Sequence, residues 1–285
     1  MTIASKNEDL CLSKPVKLTI FVPTCMSEWH DNIHCMKIIV NPKYAVLQKW
    51  LTHIATHFEE SNGKQLHKSR NCIKAFEVDG ISINVKRYGI PSWPNRLIYS
   101  FLRAPKGLRA YRYPFRMLAR GVETPESVAY IEERHGGIIS TTYYVSIQCP
   151  YLRRFYEMGD AKAEDVKDII RAFARFSAHT HEVGILHLDY SPGNILFDRN
   201  SEGEWCFSLV DTNRMRFGTV SIKKGCQNFA RLWGQPEFFR MLAQAYAEER
   251  HADPSQCTKW VMDARRRFWK RFSRKHPVKY HLKFT

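Results

Sequence analysis

The segment from residue 187 to residue 213 constrains the fold of this chain more than any other part of the sequence. Asp189 follows a histidine by two residues, and Asn194 follows Asp189 by five. A second aspartate, Asp211, comes 22 residues after Asp189 and ends an apolar run. Two carboxylates and an amide in this order, with apolar runs between them, indicate polar groups held at the ends of short strands.

The apolar runs predict how these groups meet. Residues 195–197 and 206–210 read as two short strands, and the polar segment 198–204 reads as the hairpin between them. A hairpin of this length returns Asp211 to the neighbourhood of Asn194. The two side chains are therefore expected in one site although 17 positions separate them.

This arrangement suits phosphoryl transfer. That reaction needs a carboxylate that accepts or orients the proton of the acceptor hydroxyl, and oxygen ligands that hold Mg²⁺ across the phosphates. The order of residues predicts Asp189 as the base and Asn194 and Asp211 as metal ligands. For His187 we favour a structural hydrogen bond that braces the loop over a role as proton carrier.

A lysine upstream completes the candidate nucleotide site. The alternation of apolar residues around Asp79-Gly80 predicts a β-hairpin over 71–86. Lys86 ends this hairpin directly after Val85, in the strand setting of a lysine that contacts the α- and β-phosphates of ATP. No G-x-G-x-x-G precedes it, and the basic segment Asn62–Arg70 stands where a phosphate-covering loop is expected.

The order of predicted elements indicates an α+β fold with two lobes. A second hairpin is predicted over 127–149, and 148–151 would be the hinge that faces adenine. A helix is predicted over 160–182, capped by Asp160 and ended by Gly184. Further helices are expected at about 225–234, 236–250 and 255–274.

We therefore predict three parts. Residues 1–35 form a poorly structured extension, residues 36–150 a β-rich N-lobe, and residues 151–285 a mainly helical C-lobe with a basic terminal helix. The chain has 285 residues and is 44% apolar, which suffices for such a domain.

Cysteine usage and hydropathy indicate in which cellular compartment the protein is expected. Eight cysteines occur without a C-x-x-C pair, so neither a zinc site nor a disulfide framework is indicated. Reduced thiols in the cytoplasm fit best. The apolar stretch at 18–23 is too short to span a bilayer or to form the core of a signal peptide.

From about residue 63 onward the chain resembles the lipopolysaccharide kinases, the Kdo and heptose kinase group (Kdo/WaaP) of the protein-kinase-like fold. The resembling pieces are Arg70–Phe76, Val85–Tyr88, Ala119–Tyr130, His187–Asn194 and Leu209–Met215. The resemblance implies phosphorylation of a sugar hydroxyl in the lipopolysaccharide inner core, with ATP and Mg²⁺. It also implies that Lys86 contacts ATP phosphates, Asp189 acts as base, and Asn194 and Asp211 bind Mg²⁺.

The chain departs from this pattern where a helix should supply a glutamate for Lys86. Its expected position is Arg112, Pro114 is expected to interrupt the helix nearby, and no acidic residue occurs between Asn95 and Gly121. Lys86 is then expected to find another partner, such as Glu77, or the nucleotide is loosely held. The second case would make the chain a pseudokinase.

The net charge of +16 is concentrated in two stretches. Residues 95–120 contain seven basic residues and no acid, and residues 261–285 contain nine basic residues and one acid. Aromatic residues interleave with the terminal charges: Phe268, Trp269, Phe272, Tyr280 and Phe284. Basic and aromatic clusters bind anionic membranes or nucleic acids, but no RNA- or DNA-binding signature supports the second.

We therefore predict an anionic glycolipid substrate, the lipid A core, and a peripheral position at the cytoplasmic face of the inner membrane through the C-terminus. Two alternatives stay open: a kinase acting on protein or another small-molecule hydroxyl, and a non-catalytic kinase-fold module that binds acidic lipid or nucleic acid. The sequence indicates neither the sugar nor the oligomeric state.

Overall fold

The computed structural model describes residues 18–22, 34–60 and 63–284. The strands are β1 (Leu18–Val22), β2 (His34–Val40), β3 (Lys64–Lys68), β4 (Cys72–Val78), β5 (Ile81–Tyr88), β6 (Ser127–His135), β7 (Ile138–Ile147), β8 (Arg153–Arg154), β9 (Ile185–His187), β10 (Ile195–Arg199), β11 (Trp205–Leu209) and β12 (Met215–Phe217). The helices are α1 (Gln48–Thr52), α2 (Ile54–Glu60), α3 (Trp93–Leu97), α4 (Lys106–Leu118), α5 (Lys167–Glu182), α6 (Ile222–Asn228), α7 (Pro236–Glu249) and α8 (Pro254–Phe272).

An antiparallel seven-stranded sheet forms the N-lobe, in the order β1-β2-β6-β7-β5-β4-β3. Both predicted hairpins are confirmed: β4 pairs with β5, and β6 pairs with β7. Asp79 and Gly80 have φ of 51° and 74°, which is the left-handed pair that a tight two-residue hairpin requires. One face of the sheet packs on the apolar side chains of α1 and α2, including Leu51, Ile54 and Phe58.

The predicted N-terminal extension is corrected in part. Residues 18–22 form β1, which pairs with β2 from Leu18 opposite Val40 to Val22 opposite Met36. Strand β2 itself begins at His34, two residues before the expected boundary, because its backbone groups pair with β6. The rest of the segment 1–33 lies outside the described residues.

Strand β3 occupies the place of the expected phosphate-covering loop. Residues 64–68 pair with β4, with a register shift between Gln65 and His67, and all five side chains are exposed. Basic residues therefore stand at an exposed sheet edge in this region. Asn62, which opened the predicted loop, lies outside the described residues.

Helix α4 continues through Pro114, contrary to the expected interruption. A proline inside a helix removes one amide, here the one that would bond to the carbonyl of Ala110. That carbonyl instead accepts a hydrogen bond from the hydroxyl of Thr212, at 3.4 Å. A substitute donor from outside the helix thus replaces the missing amide, and α4 remains a single helix.

The C-lobe contains the predicted helices and the β10–β11 hairpin, in which Ile195 lies opposite Leu209. Helix α5 is shorter than predicted: it begins at Lys167 after a 3₁₀ turn over 163–166. Asp160 does not cap it, because its carboxylate binds Gln235 and His281 instead. Aromatic side chains dominate the lobe's core, among them Phe155, Phe173, Phe197, Phe229 and Phe238.

Candidate active site

A cleft of about 390 Å³ lies between the β-sheet and the C-lobe. Its lining includes three of the four predicted site residues, Lys86, Asn194 and Asp211. Asp189 is not part of the lining, but Ser191 and Gly193 from its loop are. The predicted hinge contributes Gln148 and Cys149, and the segment Thr124-Pro125 lines the cleft as well.

Lys86 and Asp211 form an ion pair across the cleft. The Nζ of Lys86 lies 2.5 Å from Oδ1 of Asp211, and the side chains are 12% and 30% exposed. Burial opposes ionisation of Asp211, but the charge and hydrogen bond of Lys86, aided by the hydrogen bond from Asn213, outweigh it and lower the pKa of Asp211. The suggested partner Glu77 is wrong, because it is exposed on β4 and Lys86 contacts Asp211.

Asp211 holds an unusual backbone conformation. Its φ of 56° and ψ of 47° place it in the left-handed region, which residues other than glycine rarely adopt. The side-chain amide of Asn213 donates to its Oδ1 at 2.5 Å. Such conformations cost free energy and persist where surrounding contacts impose them. The turn points the carboxylate of Asp211 toward Lys86 immediately after β11.

His187 braces the loop between the two aspartates, as favoured from the sequence. Its Nε2 lies 3.0 Å from the carbonyl of Val210, and its Nδ1 accepts the amide of Asp189 at 3.0 Å. Burial lowers the pKa of this imidazole despite the neighbouring carboxylates, so the ring stays neutral at pH 7. One neutral tautomer satisfies both contacts, with the proton on Nε2.

Asn194 is oriented by its own loop. Its side-chain Nδ2 donates to the backbone carbonyl of Asp189 at 2.9 Å, and the backbone carbonyl of Asn194 accepts the amide of Val210 at 3.0 Å. The first bond uses the nitrogen of the side-chain amide and leaves its oxygen for a ligand in the cleft. An amide oxygen and the carboxylate of Asp211 are a donor set that fits Mg²⁺, which takes a few protein oxygens and completes its shell with water and phosphate.

Two arginines hold Asp189. Nη1 of Arg231 lies 2.8 Å from its Oδ1, and Nη1 of Arg214 lies 3.4 Å from its Oδ2. The carboxylate is 18% exposed, whereas the arginines are 37% and 53% exposed. Sequence reasoning missed both arginines. Arg214 follows Asp211 by three residues, so its closeness to the site could have been predicted from the sequence. No local sequence pattern connects Arg231 to Asp189.

The segment Gly121–Pro125 attaches the N-lobe to the end of β11, beside the candidate metal ligand Asp211. The hydroxyl of Thr124 donates to the carbonyl of Leu209 at 2.7 Å, and the amide of Leu209 donates to the carbonyl of Glu123 at 3.1 Å. Leu209 is two residues before Asp211. The Thr-Pro motif therefore fixes the end of β11, next to the candidate catalytic segment.

The basic and aromatic C-terminus is only partly available to a membrane, which corrects the predicted contact surface. Trp269, Tyr280 and Arg265 are 3%, 7% and 1% exposed. Arg265 donates to the carbonyl of Gly234 at 3.0 Å, and Tyr280 stacks on Trp233. These side chains pack inside the lobe because α8 lies against α7 and the tail folds back onto Trp233 and Trp269. The remaining basic residues of 266–283 are exposed.

No protein-family model and no curated protein sequence matches the chain. Among solved structures, the chain is similar to "WaaP in complex with acyl carrier protein", with a TM-score of 0.53 and 16% identity over 81% of this chain and 99% of that one. It is also similar to the gentamicin complex and the streptomycin–ATP complex of APH(2")-IIa, with TM-scores of 0.47 and 0.46. These two are 10% and 11% identical over 75% of this chain and cover 85% and 86% of theirs.

The predicted fold is confirmed: the chain has the two-lobed protein-kinase-like fold, with a β-rich N-lobe and a helical C-lobe. Its similarity to WaaP agrees with the resemblance to the Kdo/WaaP group seen in the sequence. In the part of the chain that the structure describes, no helix is long and apolar enough to cross a membrane.

Proposed function

We propose that the protein is an ATP-dependent phosphotransferase that phosphorylates a sugar hydroxyl of an anionic glycolipid, of the Kdo or heptose type in the lipopolysaccharide inner core. The observation that supports this most is the convergence of Lys86, Asn194 and Asp211 on one cleft beside the Asp189 loop. The WaaP-like fold supports phosphotransferase chemistry in general.

The residues of the chain have separable roles in this proposal. Asp189 orients the acceptor hydroxyl and accepts its proton, while the hydroxyl oxygen forms a bond to the γ-phosphorus of ATP. The bond from that phosphorus to the β–γ bridging oxygen breaks, and ADP leaves. Lys86 binds the phosphates, and Asn194 and Asp211 would hold Mg²⁺, which supplies positive charge against the phosphate oxygens.

The charge around the cleft favours an acidic acceptor. Arg214 and Arg231 contact Asp189. Nearby, burial lowers the pKa of Lys106, and the positive charges of Arg70 and Arg214 lower it further. Cations held this close to one another repel, so a site that collects them gains most from an anionic ligand. A phosphorylated or carboxylated sugar beside Asp189 meets this condition.

Transfer of ³²P from γ-labelled ATP to a Kdo-containing lipid A acceptor tests the proposal. We expect Mg²⁺-dependent transfer by the wild-type chain and a loss of at least a thousandfold in Asp189→Asn, with folding checked by circular dichroism. Transfer to protein or aminoglycoside acceptors but not to glycolipid would replace the sugar assignment. Failure of Mg-ATP to raise the melting temperature would favour a non-catalytic module.

We further propose that the protein attaches peripherally to an anionic membrane, at the cytoplasmic face of the inner membrane. An exposed apolar ridge supports this: Ile90, Trp93, Leu97, Ile98, Phe101 and Leu102. Ile90 precedes α3, and the other five side chains lie on α3 and on the π-helical turn Ile98–Leu102 that follows it. No acidic residue occurs between Asp79 and Glu123. Exposed apolar side chains in a basic segment insert into the boundary of anionic bilayers. A second copy of this basic face would be repelled.

A further inference from the structure

A second pocket, of about 500 Å³, opens in the C-lobe next to the catalytic loop. Its lining comes from the turn after β8, the catalytic loop, the stretch before α7, helix α8 and the C-terminal tail, and includes Arg231, Trp233, Phe268, Trp269, Phe272 and Lys279. We call it the aromatic pocket. Most of the C-terminal aromatic residues that suggested a membrane contact therefore line a pocket near Asp189 instead.

The aromatic pocket and the nucleotide cleft share a wall. Tyr156 and Ser191 line both of them, and Ser191 lies two residues after Asp189 in the same loop. Arg231, which also lines the pocket, contacts the Asp189 carboxylate at 2.8 Å. A ligand in the aromatic pocket therefore lies on the opposite side of the catalytic loop from the nucleotide, which is the relation that the two substrates of a transferase require.

The composition of the lining identifies the class of ligand. Flat aromatic faces contact the apolar faces of sugar rings, and Arg231 and Lys279 are the charged groups of the pocket, with no carboxylate among its lining residues. An uncharged acyl chain would offer no acceptor to Lys279, and none to Arg231 beyond the Asp189 carboxylate that it already contacts. An anionic sugar matches the aromatic faces and the two cations together.

We propose that the aromatic pocket is the acceptor site and binds an anionic sugar, with Trp233 and Phe272 against its ring and Arg231 and Lys279 on its acidic group. This inference rests on the proposed phosphotransferase function. It adds a consequence for Asp189: an acidic acceptor competes for Arg231, and this withdraws a cation from the carboxylate that receives the hydroxyl proton.

Isothermal titration of the full chain with a deacylated inner-core oligosaccharide that contains Kdo, without nucleotide, tests the site directly. We expect about fivefold weaker binding in Lys279→Ala and at least tenfold weaker binding in Trp233→Ala. Lys283→Ala is the matched control, because Lys283 is an exposed lysine of the same tail outside the pocket. It should bind as the wild type does.

Equal affinity in Lys279→Ala and Lys283→Ala, or binding of an acylated form alone, would overturn the acceptor site. Transfer assays separate this failure from failure of the proposed function. Wild-type transfer with an unchanged acceptor KM in both pocket variants retains the kinase and rejects the pocket. Binding that depends on Lys279 and Trp233 without any phosphate transfer retains the pocket and rejects the kinase.

Discussion

The hydroxyl of Thr212 donates to the carbonyl of Ala110, the carbonyl that Pro114 deprives of its helical amide. Helix α4 is thereby joined to the residue that follows Asp211. In this chain the expected glutamate of α4 is absent and Lys86 pairs with Asp211 instead. The Thr212–Ala110 bond thus links α4 to the residue next to Asp211, the candidate metal ligand.

Thr212→Val should remove this bond and leave the Ala110 carbonyl unpaired, at a cost of about 1 kcal/mol in the free energy of unfolding. In a Pro114→Ala background the amide of residue 114 can again bond to the Ala110 carbonyl. Thr212→Val should then leave the free energy of unfolding almost unchanged. Urea denaturation of the two single variants and the double variant measures this coupling. Additive free energies across the cycle would show that the hydroxyl and the proline act independently.

Lys86→Met should abolish the stabilisation by Mg-ATP, because the cation proposed to contact the phosphates is lost. For the wild type, a hundredfold excess over Kd corresponds to about 2.7 kcal/mol, seen as a rise in melting temperature. Arg87→Met is the matched control: Arg87 is the next residue on β5, and it pairs with the exposed Glu59. A full Mg-ATP shift in Lys86→Met would exclude Lys86 as a phosphate ligand.

Gly193→Ala should displace Tyr156 from the wall between the cleft and the aromatic pocket. A Cβ at position 193 would lie 2.6 Å from the Tyr156 hydroxyl and 3.2 Å from the ring carbon that bears it. We expect kcat/KM to fall by about tenfold, since Tyr156 no longer holds its place in the wall beside the candidate catalytic loop. Tyr156→Phe removes the hydroxyl that lies closest to the new Cβ, so the double variant Gly193→Ala/Tyr156→Phe should recover part of the activity. No recovery would show that the loss does not come from the contact with Tyr156.

Stability should decrease as the pH falls below about 6.5. Burial, with a smaller effect of Arg250, lowers the pKa of His181 to about 3, whereas an unfolded histidine titrates near 6.5. The unfolded state therefore binds the proton first, and at pH 5 the loss is about 2 kcal/mol. Chemical denaturation between pH 7 and 5 measures it. His181→Asn should flatten the slope, and an unchanged slope would mean that other groups cause the loss.

Phe101→Glu and Leu102→Glu should weaken binding to vesicles that contain phosphatidylglycerol. Both side chains belong to the apolar ridge and are 71% and 84% exposed, so a charge there prevents insertion without unfolding the chain. Val46→Glu is the control, because Val46 is 64% exposed on the N-lobe outside the ridge. Sedimentation with vesicles reads the result. Equal binding by all three variants would move the membrane contact away from the ridge.

The parts of the site that the sequence predicts are the local ones. The order of Asp189, Asn194 and Asp211 follows from a loop and a hairpin within 23 residues, and the β4–β5 turn follows from Asp79-Gly80. Short-range spacing fixes such geometry because few backbone conformations connect the residues.

The parts that it misses depend on distant packing. Lys86 meets Asp211 across 125 positions, and Arg231 meets Asp189 across the lobe, so no local pattern predicts either contact. The aromatic residues of the tail predict an exposed surface because composition does not distinguish a buried Trp269 from an exposed one. Pro114 predicts a helix break because the compensating hydroxyl of Thr212 lies on another element.

The wall formed by Tyr156 and Ser191 would give the two proposed substrates a common thermodynamic variable. A nucleotide that shifts this wall would change the affinity for the sugar, and the sugar would then change the affinity for the nucleotide by the same factor. The direction in which the wall moves would decide whether each substrate recruits the other or excludes it.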